Sequence, residues 1–249
     1  MSVQIKIVKP EASIADFVES FWLLHNTSAE AKEAIILPDG RIDLFVSESA
    51  TEPFHITLLG LETGASHTSV AAGIRMFAVS FKPLATEYVL HEPVAHLLNN
   101  AQLVQPDFWG FEPADLKDFE HFCQKATILI KARLTNPIDE RKRKLFGLIY
   151  GSGGSMSVKD LSANVYWSSR QINRYFTQQY GLSLKAYCNI LRFRASFKHI
   201  KEGKLFPEQN FADQSHFIRE IKKLSGFAPK ELLRNKNDRF IQLSTLPEK

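Results

Sequence analysis

Apolar and polar positions alternate at the start of the chain, with Val3, Ile5 and Ile7 set against Gln4 and Lys6. This is the period of a half-buried strand, and Pro10 stops it. After Ser13 the spacing of Ile14, Phe17, Val18 and Phe21 becomes that of a short amphipathic helix. The run from Ala34 to Val46 predicts two apolar strands joined by a Pro38-Asp39-Gly40 turn, a hairpin in which proline presets φ and glycine accepts positive φ. Further strand-like runs cover 54–59 and 74–81, ended by Pro83, so residues 1–85 are mostly sheet. Short helical pieces at 84–90 and 94–98 precede a long helical stretch from Pro113 to Leu134, with Leu116, Phe119, Cys123, Ile130 and Leu134 near one face. Asn136-Pro137 breaks it, because the residue before proline is pushed out of the α region. The expected first domain, residues 1–135, is α+β: a mostly antiparallel sheet with helices.

From there to residue 234 every signal is helical. Ser157-Val158-Lys159-Asp160 starts a short helix running to about Asn164, since a serine oxygen can accept from the backbone N–H three residues on. Val165 to Trp167 then separate it from Ser168, a good N-cap for Ser169 to Tyr180. Two short helices joined by so tight a turn make a helix-turn-helix. On the second helix Arg170, Asn173, Arg174 and Thr177 share one face, while Ile172, Tyr175, Phe176 and Gln179 lie opposite. Gly181 closes it, and Ser183 caps a long third helix with Leu184, Tyr187, Cys188, Leu191 and Ala195 as its packing stripe. The design recurs from Asp213 to Gly226: Phe217, Ile221 and Leu224 on one face, and Ser215, Arg219, Lys222 and Lys223 on the other. Ala228-Pro229 opens a last helix. A solvated amphipathic helix could carry any one of these faces; their recurrence in one domain favours a reading head. The expected second domain, residues 136–240, is all-α with two helix-turn-helix units.

Charge supports this division. The net charge of +4 hides a split: residues 1–140 hold 10 Lys+Arg against 19 Asp+Glu, net −9, and residues 141–249 hold 21 against 8, net +13. Such a concentration steers association with a polyanion, and the apolar faces look like core rather than a membrane-binding surface. Cys123 and Cys188 lie far apart and outside any C-x-x-C spacing, which argues against zinc or a disulfide framework. His25, His55, His67, His91 and His96 form no close pair suited to a metal. Asp39 and Asp43 flank the turn as solvated carboxylates of turn chemistry. The N-terminus has no leader pattern and no apolar run approaches membrane-spanning length, which points to the cytoplasm.

The stretch from about Met156 to Leu233 resembles the tandem helix-turn-helix domain of AraC/XylS-type bacterial transcription regulators. The likeness lies in Ser168-x-Arg170-x-Ile172-x-Arg174-x-Phe176, in Tyr180-Gly181-Leu182-Ser183, and in Phe211-Ala212-Asp213-Gln214-Ser215-His216-Phe217-Ile218-Arg219 with Gly226-Phe227-Ala228-Pro229. The N-terminal part is similar to a sensor-like domain found before this module in some members, through Leu37-Pro38-Asp39-Gly40-Arg41-Ile42-Asp43-Leu44 and Val79-Ser80-Phe81-Lys82-Pro83. The resemblance implies a regulator with recognition helices in successive major grooves, about 34 Å apart. Carried over by position, Arg170, Asn173 and Arg174 face bases in the first groove, and Gln214, Ser215, His216 and Arg219 in the second. Ser169, Lys222 and Lys223 hold phosphates, and His216 has a competing role as a structural helix-start residue.

One feature departs from the family: only Lys204 to Asn210, with Pro207 inside, is available as the scaffold helix of the second unit, so the first unit is expected to carry more of the specificity. The implied partners are double-stranded DNA, a small-molecule effector and a second copy bound through the N-terminal domain, with no cofactor, metal or membrane. Two alternatives stand beside this: an architectural DNA-binding protein without ligand control, and a DNA alkyl-repair enzyme fused to the same module. The second needs an activated cysteine, and neither cysteine lies in a Pro-Cys-His-type setting, so no enzyme is expected.

Overall fold

The computed structural model describes residues 3–105, 107–206, 211 and 213–244. Two compact units emerge: Met1–Lys32, Arg41–Leu61 and Ser69–Ile138 form the first, and Glu33–Gly40, Glu62–Thr68 and Asp139–Lys249 the second. An antiparallel-sheet domain is followed by a helical region, and two short N-terminal segments belong to the helical unit.

The described strands are β1 (Val3–Val8), β2 (Val18–Asn26), β3 (Lys32–Ile36), β4 (Ile42–Glu48), β5 (His55–Leu59), β6 (Ser66–Val70), β7 (Arg75–Phe81) and β8 (Ala101–Leu103). Six of them form one sheet in the order β1-β2-β7-β4-β5-β8, each neighbour antiparallel to the next. Register sorts the side chains by the period of two. Phe21, Val79, Leu44 and Leu58 stand in one row, Phe77, Val46 and Ile56 in the next, and all are buried. Helix α1 (Phe119–Arg133) covers this face, with Phe119 and Phe122 ring centroids 5.1 and 5.6 Å from Phe77. The long helix predicted from Pro113 is divided: Pro113–Lys117 is a 3-10 turn, and Asp118, in extended backbone, caps α1 by accepting from the N–H groups of Glu120 and His121.

Two sequence expectations fail here. The apolar spacing from Ile14 to Phe21 does not mark a helix: Ile14 ends a 3-10 turn, and Val18 begins β2, hydrogen-bonded to β1 on one side and β7 on the other. The helical period was a coincidence of two elements, and cross-strand partners far along the chain won over it. The Pro38-Asp39-Gly40 turn does not close a hairpin either, because β3 pairs with β6 while β4 pairs with β5 and β7. Asp43, expected to be solvated, accepts a 3.2 Å hydrogen bond from the Trp22 indole and another from the Ser80 hydroxyl on the second face of the sheet.

The second unit is built from α2 (Glu140–Gly151), α3 (Val158–Val165), α4 (Ser169–Tyr180), α5 (Leu184–Ala195), α6 (Phe197–Lys201), α7 (Gln214–Ser225), α8 (Pro229–Arg234) and α9 (Ile241–Ser244). The predicted third helix is α5, parted from α6 at Ser196, whose hydroxyl donates to the Phe193 carbonyl at 2.6 Å. Phe176 is the hub of an aromatic core, 5.7 Å from Phe146, 5.2 Å from Tyr180 and 5.6 Å from Tyr187 between ring centroids.

Segments 33–40 and 62–68 join this unit by specific bonds. The Gln242 side chain accepts from the Leu37 N–H at 2.8 Å and donates to the Leu37 carbonyl at 2.9 Å, the Ile35 N–H donates to the Arg239 carbonyl at 2.6 Å, and His67 meets Phe227 with centroids 6.4 Å apart. The Tyr187 hydroxyl donates to the Gly40 carbonyl at 3.2 Å and lies 2.9 Å from the Tyr150 hydroxyl. Gly40 has φ +77°, and a Cβ there would lie 3.0 Å from the Leu191 side chain and 3.2 Å from that of Tyr187.

Candidate nucleic-acid interface

The α3-turn-α4 unit is assembled from local capping. The Ser157 hydroxyl accepts from the Asp160 N–H to start α3, and Tyr166 ends it in the left-handed region at φ 53°. The Ser162 hydroxyl donates to the Trp167 carbonyl at 2.8 Å and so clips the turn. Ser168 then opens α4 with a reciprocal capping box: its hydroxyl accepts from the Gln171 N–H, while the Gln171 side chain accepts from the Ser168 N–H at 3.0 Å. Gly181, at φ 78°, closes the helix in the left-handed conformation that glycine adopts at least cost.

One face of α4 is wholly committed to the core: Ile172, Tyr175, Phe176 and Tyr180 are buried. Arg170 and Arg174, one helical turn apart, are exposed, and no acidic side chain among the described residues pairs with either. Thr177 is exposed beside them and Ser169 half-buried.

Asn173 is engaged within the unit. Its amide nitrogen donates to the Ser169 carbonyl at 2.9 Å, and its amide oxygen accepts from the Leu184 N–H at 3.2 Å, one of the otherwise unmatched donors that open α5. An asparagine reading adenine presents both ends of its amide to the base, and here both ends are turned inward.

The second candidate helix, α7, has the same division of faces. Asp213 accepts from the His216 N–H at 2.7 Å as its N-cap, and Gly226, at φ 77°, ends it. Phe217, Ile221, Leu224 and Ser225 are buried, while Gln214, Ser215, Arg219, Lys222 and Lys223 are exposed. His216 is half-buried, its ring edge-on to Phe211 at 5.7 Å. Lys204, Leu205 and Phe206 are not helical; the rest of the segment expected to form a short scaffold helix, including Pro207 and Asn210, lies outside the described residues. The crevice between α5 and α7, lined by Asn189, Arg192, Phe211 and Glu220 among others, has space for about one water molecule, 10 Å³.

Burial pushes the Cys123 thiol up to about 11 and the Cys188 thiol to about 12, the opposite of the thiolate activation a nucleophilic cysteine needs. Among the described residues no group of three or more His, Cys, Asp or Glu side chains could hold a metal ion, and no helix is long and apolar enough to cross a membrane. In the sheet unit the buried Arg41 guanidinium lies 3.2 Å from Glu19, which Lys9 and Lys82 also approach at 3.1 and 3.9 Å. Burial raises the Glu19 carboxyl, but Arg41, Lys9 and Lys82 outweigh it and hold it below the usual range, so Glu19 stands as the carboxylate partner of the buried Arg41.

Sequence patterns missed one part of this surface, the basic first turn of α2, although its signal is plain as four consecutive cations, Arg141 to Lys144.

Residues 6–102 match the model of a family described as a domain of unknown function, DUF6597. A search of curated protein sequences finds no match. Among solved structures the chain is similar to apo and ligand-bound forms of ToxT from Vibrio cholerae. An apo variant from strain SCE256 has 13% identity and a TM-score of 0.45, with 94% of this chain and 97% of that chain covered. ToxT from strain O395 has 15% identity and a TM-score of 0.44, covering 98% and 99%. The unsaturated fatty acid bound wild-type ToxT from strain SCE256 has 14% identity and a TM-score of 0.41, covering 99% and 97%.

Proposed function

We propose that this protein is a sequence-selective, double-stranded DNA-binding transcription regulator. In this reading α4 and α7 enter successive major grooves, and the sheet domain receives a small-molecule effector or makes the dimer contact. The observation that carries the reading is α4: a reciprocally capped helix whose apolar face is fully buried while Arg170 and Arg174 stand exposed and unneutralised, one turn apart. Arg170 and Arg174 are assigned to base edges, with guanine O6/N7 as the preferred partner of an arginine fork. Gln214, Ser215 and Arg219 have the same role on α7, where His216 acts first as a packed helix-start residue. Ser169, Lys222 and Lys223 are assigned to phosphates. Asn173 holds the recognition helix against α5, with base contact secondary to that task.

The test is selection of bound duplexes from a random-sequence pool, followed by titration of the selected duplex and a mixed-sequence duplex at several salt concentrations. A regulator should prefer the selected duplex by orders of magnitude and retain that preference as salt lowers both affinities. Arg174→Ala should cost about 1–3 kcal/mol and relax the base preference, and Arg219→Ala should cost less. A steep salt dependence without preference would instead favour an architectural protein. Equal losses for the two arginine variants would overturn the ranking of the two helices.

A further inference from the structure

The first turn of α2 reads Glu140-Arg141-Lys142-Arg143-Lys144, and three of its cations lie over rings of the helix-turn-helix unit. The Arg141 guanidinium is 5.7 Å from the Trp167 ring centroid, the Lys142 ammonium 5.1 Å from Tyr175 and the Lys144 ammonium 5.8 Å from Tyr166. This is cation–π distance, and it fixes the basic turn beside the start of α4. The four charges are not equivalent. Arg141 is paired with Asp139 at 2.7 Å and Arg143 with Glu140 at 2.5 Å, and Lys142 is half-buried. Lys144 is exposed, and no acidic side chain among the described residues neutralises it.

Tyr166 is the second observation. It is 89% exposed, the largest such value among the exposed apolar and aromatic side chains described, so it contributes little to the core. It also occupies a left-handed position, φ 53°, where glycine or asparagine would meet less steric resistance. Neither packing nor backbone geometry accounts for a tyrosine there. Its place does suggest a role: it stands in the turn, two residues before the Ser168 cap of α4, with an uncompensated ammonium over its ring. In helix-turn-helix docking the N-terminal end of the recognition helix approaches base edges, so a turn residue just before it faces the rim of the groove, where the phosphates run.

Building on the DNA-binding reading above, we propose that Lys144 and Tyr166 form a phosphate clamp that grips the DNA backbone beside the first recognition helix. The Tyr166 hydroxyl donates a hydrogen bond to a phosphate oxygen and the Lys144 ammonium pairs with the same anionic backbone. The clamp adds affinity and sets the register of α4, and it carries no sequence information of its own. Arg141 seats α2 against the turn at Trp167 and Lys142 seats it against α4 at Tyr175, so the DNA-facing surface begins ahead of the helix-turn-helix unit itself.

The experiment uses full-length Lys144→Gln, Lys144→Arg, Tyr166→Phe and Tyr166→Asn proteins, titrated by fluorescence anisotropy against a pool-selected duplex and a mixed-sequence duplex over a salt series. Thermal midpoints are measured alongside: those of Lys144→Gln, Lys144→Arg and Tyr166→Phe should stay close to wild type, because both side chains are exposed, and that of Tyr166→Asn should not fall, because asparagine meets less resistance at φ 53°. Lys144→Gln and Tyr166→Phe should each weaken binding to both duplexes by the same factor, about three- to tenfold. Lys144→Gln should also reduce the slope of log affinity against log salt by about 1, and Lys144→Arg should restore it. Wild-type affinity and slope in both variants would overturn the clamp, as expected if this patch instead met an acidic protein. A changed ratio between the duplexes would also overturn it, because that is base reading. If Arg174→Ala relaxes the preference while the clamp variants behave as wild type, only the clamp falls; if the wild-type protein binds neither duplex, the DNA-binding reading falls with it.

Discussion

Asn173 and Arg174 are neighbours on one helix, and their surroundings assign them different tasks. The two ends of the Asn173 amide are bound to the Ser169 carbonyl and the Leu184 N–H, so Asn173→Ala leaves a donor of α5 unmatched. It should cost about 1 kcal/mol in chemical denaturation. Arg174 is exposed, so Arg174→Ala should change folding stability by no more than about 0.5 kcal/mol while it weakens DNA binding. The opposite pattern in the two variants would exchange their roles. Both residues were visible in the sequence as members of one polar face; the amide's inward turn was not, because its partner Leu184 lies in another helix.

Glu62 offers a test of a different kind. Burial raises its carboxyl above the ordinary value of 4.5 despite a 2.7 Å hydrogen bond from Ser66, and the nearby Asp39 charge adds to the rise. The sign follows from linkage: a carboxyl that is harder to ionise when folded costs nothing while both states are protonated. The penalty grows as pH rises through the unfolded value and is complete above the folded one. Glu62→Gln keeps an acceptor for Ser66 and removes the charge. It should therefore raise the thermal midpoint at neutral pH and give no gain in acid below the ordinary carboxylate range.

At the scale of elements, helices were far more legible than strands. Ser157, Ser168, Ser183 and Asp213 each cap the helix their position predicted, and Gly181 and Gly226 end theirs in the left-handed region. A helix satisfies its hydrogen bonds within a few residues, so its ends are written locally. A strand's partners are remote, and that is where pattern misled. Val18 and Phe21 belong to a strand held by β1 and β7, and Gly40 bends the chain without closing a hairpin. Turn chemistry anticipated the left-handed glycine; its close approach to Tyr187 and Leu191 came from the tertiary fold. Gly40→Ala meets both constraints and should destabilise by at least about 1–2 kcal/mol. Tyr187→Phe removes the hydroxyl's bonds to the Gly40 carbonyl and the Tyr150 hydroxyl and should cost about 0.5–1.5 kcal/mol for each. Both are read from thermal or denaturant unfolding of the full chain.

For the whole molecule the charge split and the helical second half were plain in the sequence, but the way the chain is shared between units was not. It changes unit after residues 32, 40, 61 and 68 as well as after 138, so the helical unit includes two stretches that precede it by some 70 residues or more. A fragment beginning at residue 139 lacks the Leu37–Gln242, Ile35–Arg239 and Gly40–Tyr187 bonds, and its helices should melt at a lower temperature than those of the intact protein. An equal midpoint would show that segments 33–40 and 62–68 add nothing to that unit. The sequence by itself determined α3, α4 and α7 with their caps, the start and cap of α5, the buried and exposed faces of α4 and α7, and the basic character of the region that holds them. These depend on contacts one turn apart and on composition. Tertiary structure alone decided the strand order, the inward turn of Asn173, the approach of α2's cations to Tyr166 and Trp167, and the docking of residues 33–40 and 62–68. Each of these joins groups whose separation along the chain is too long for any local period to record.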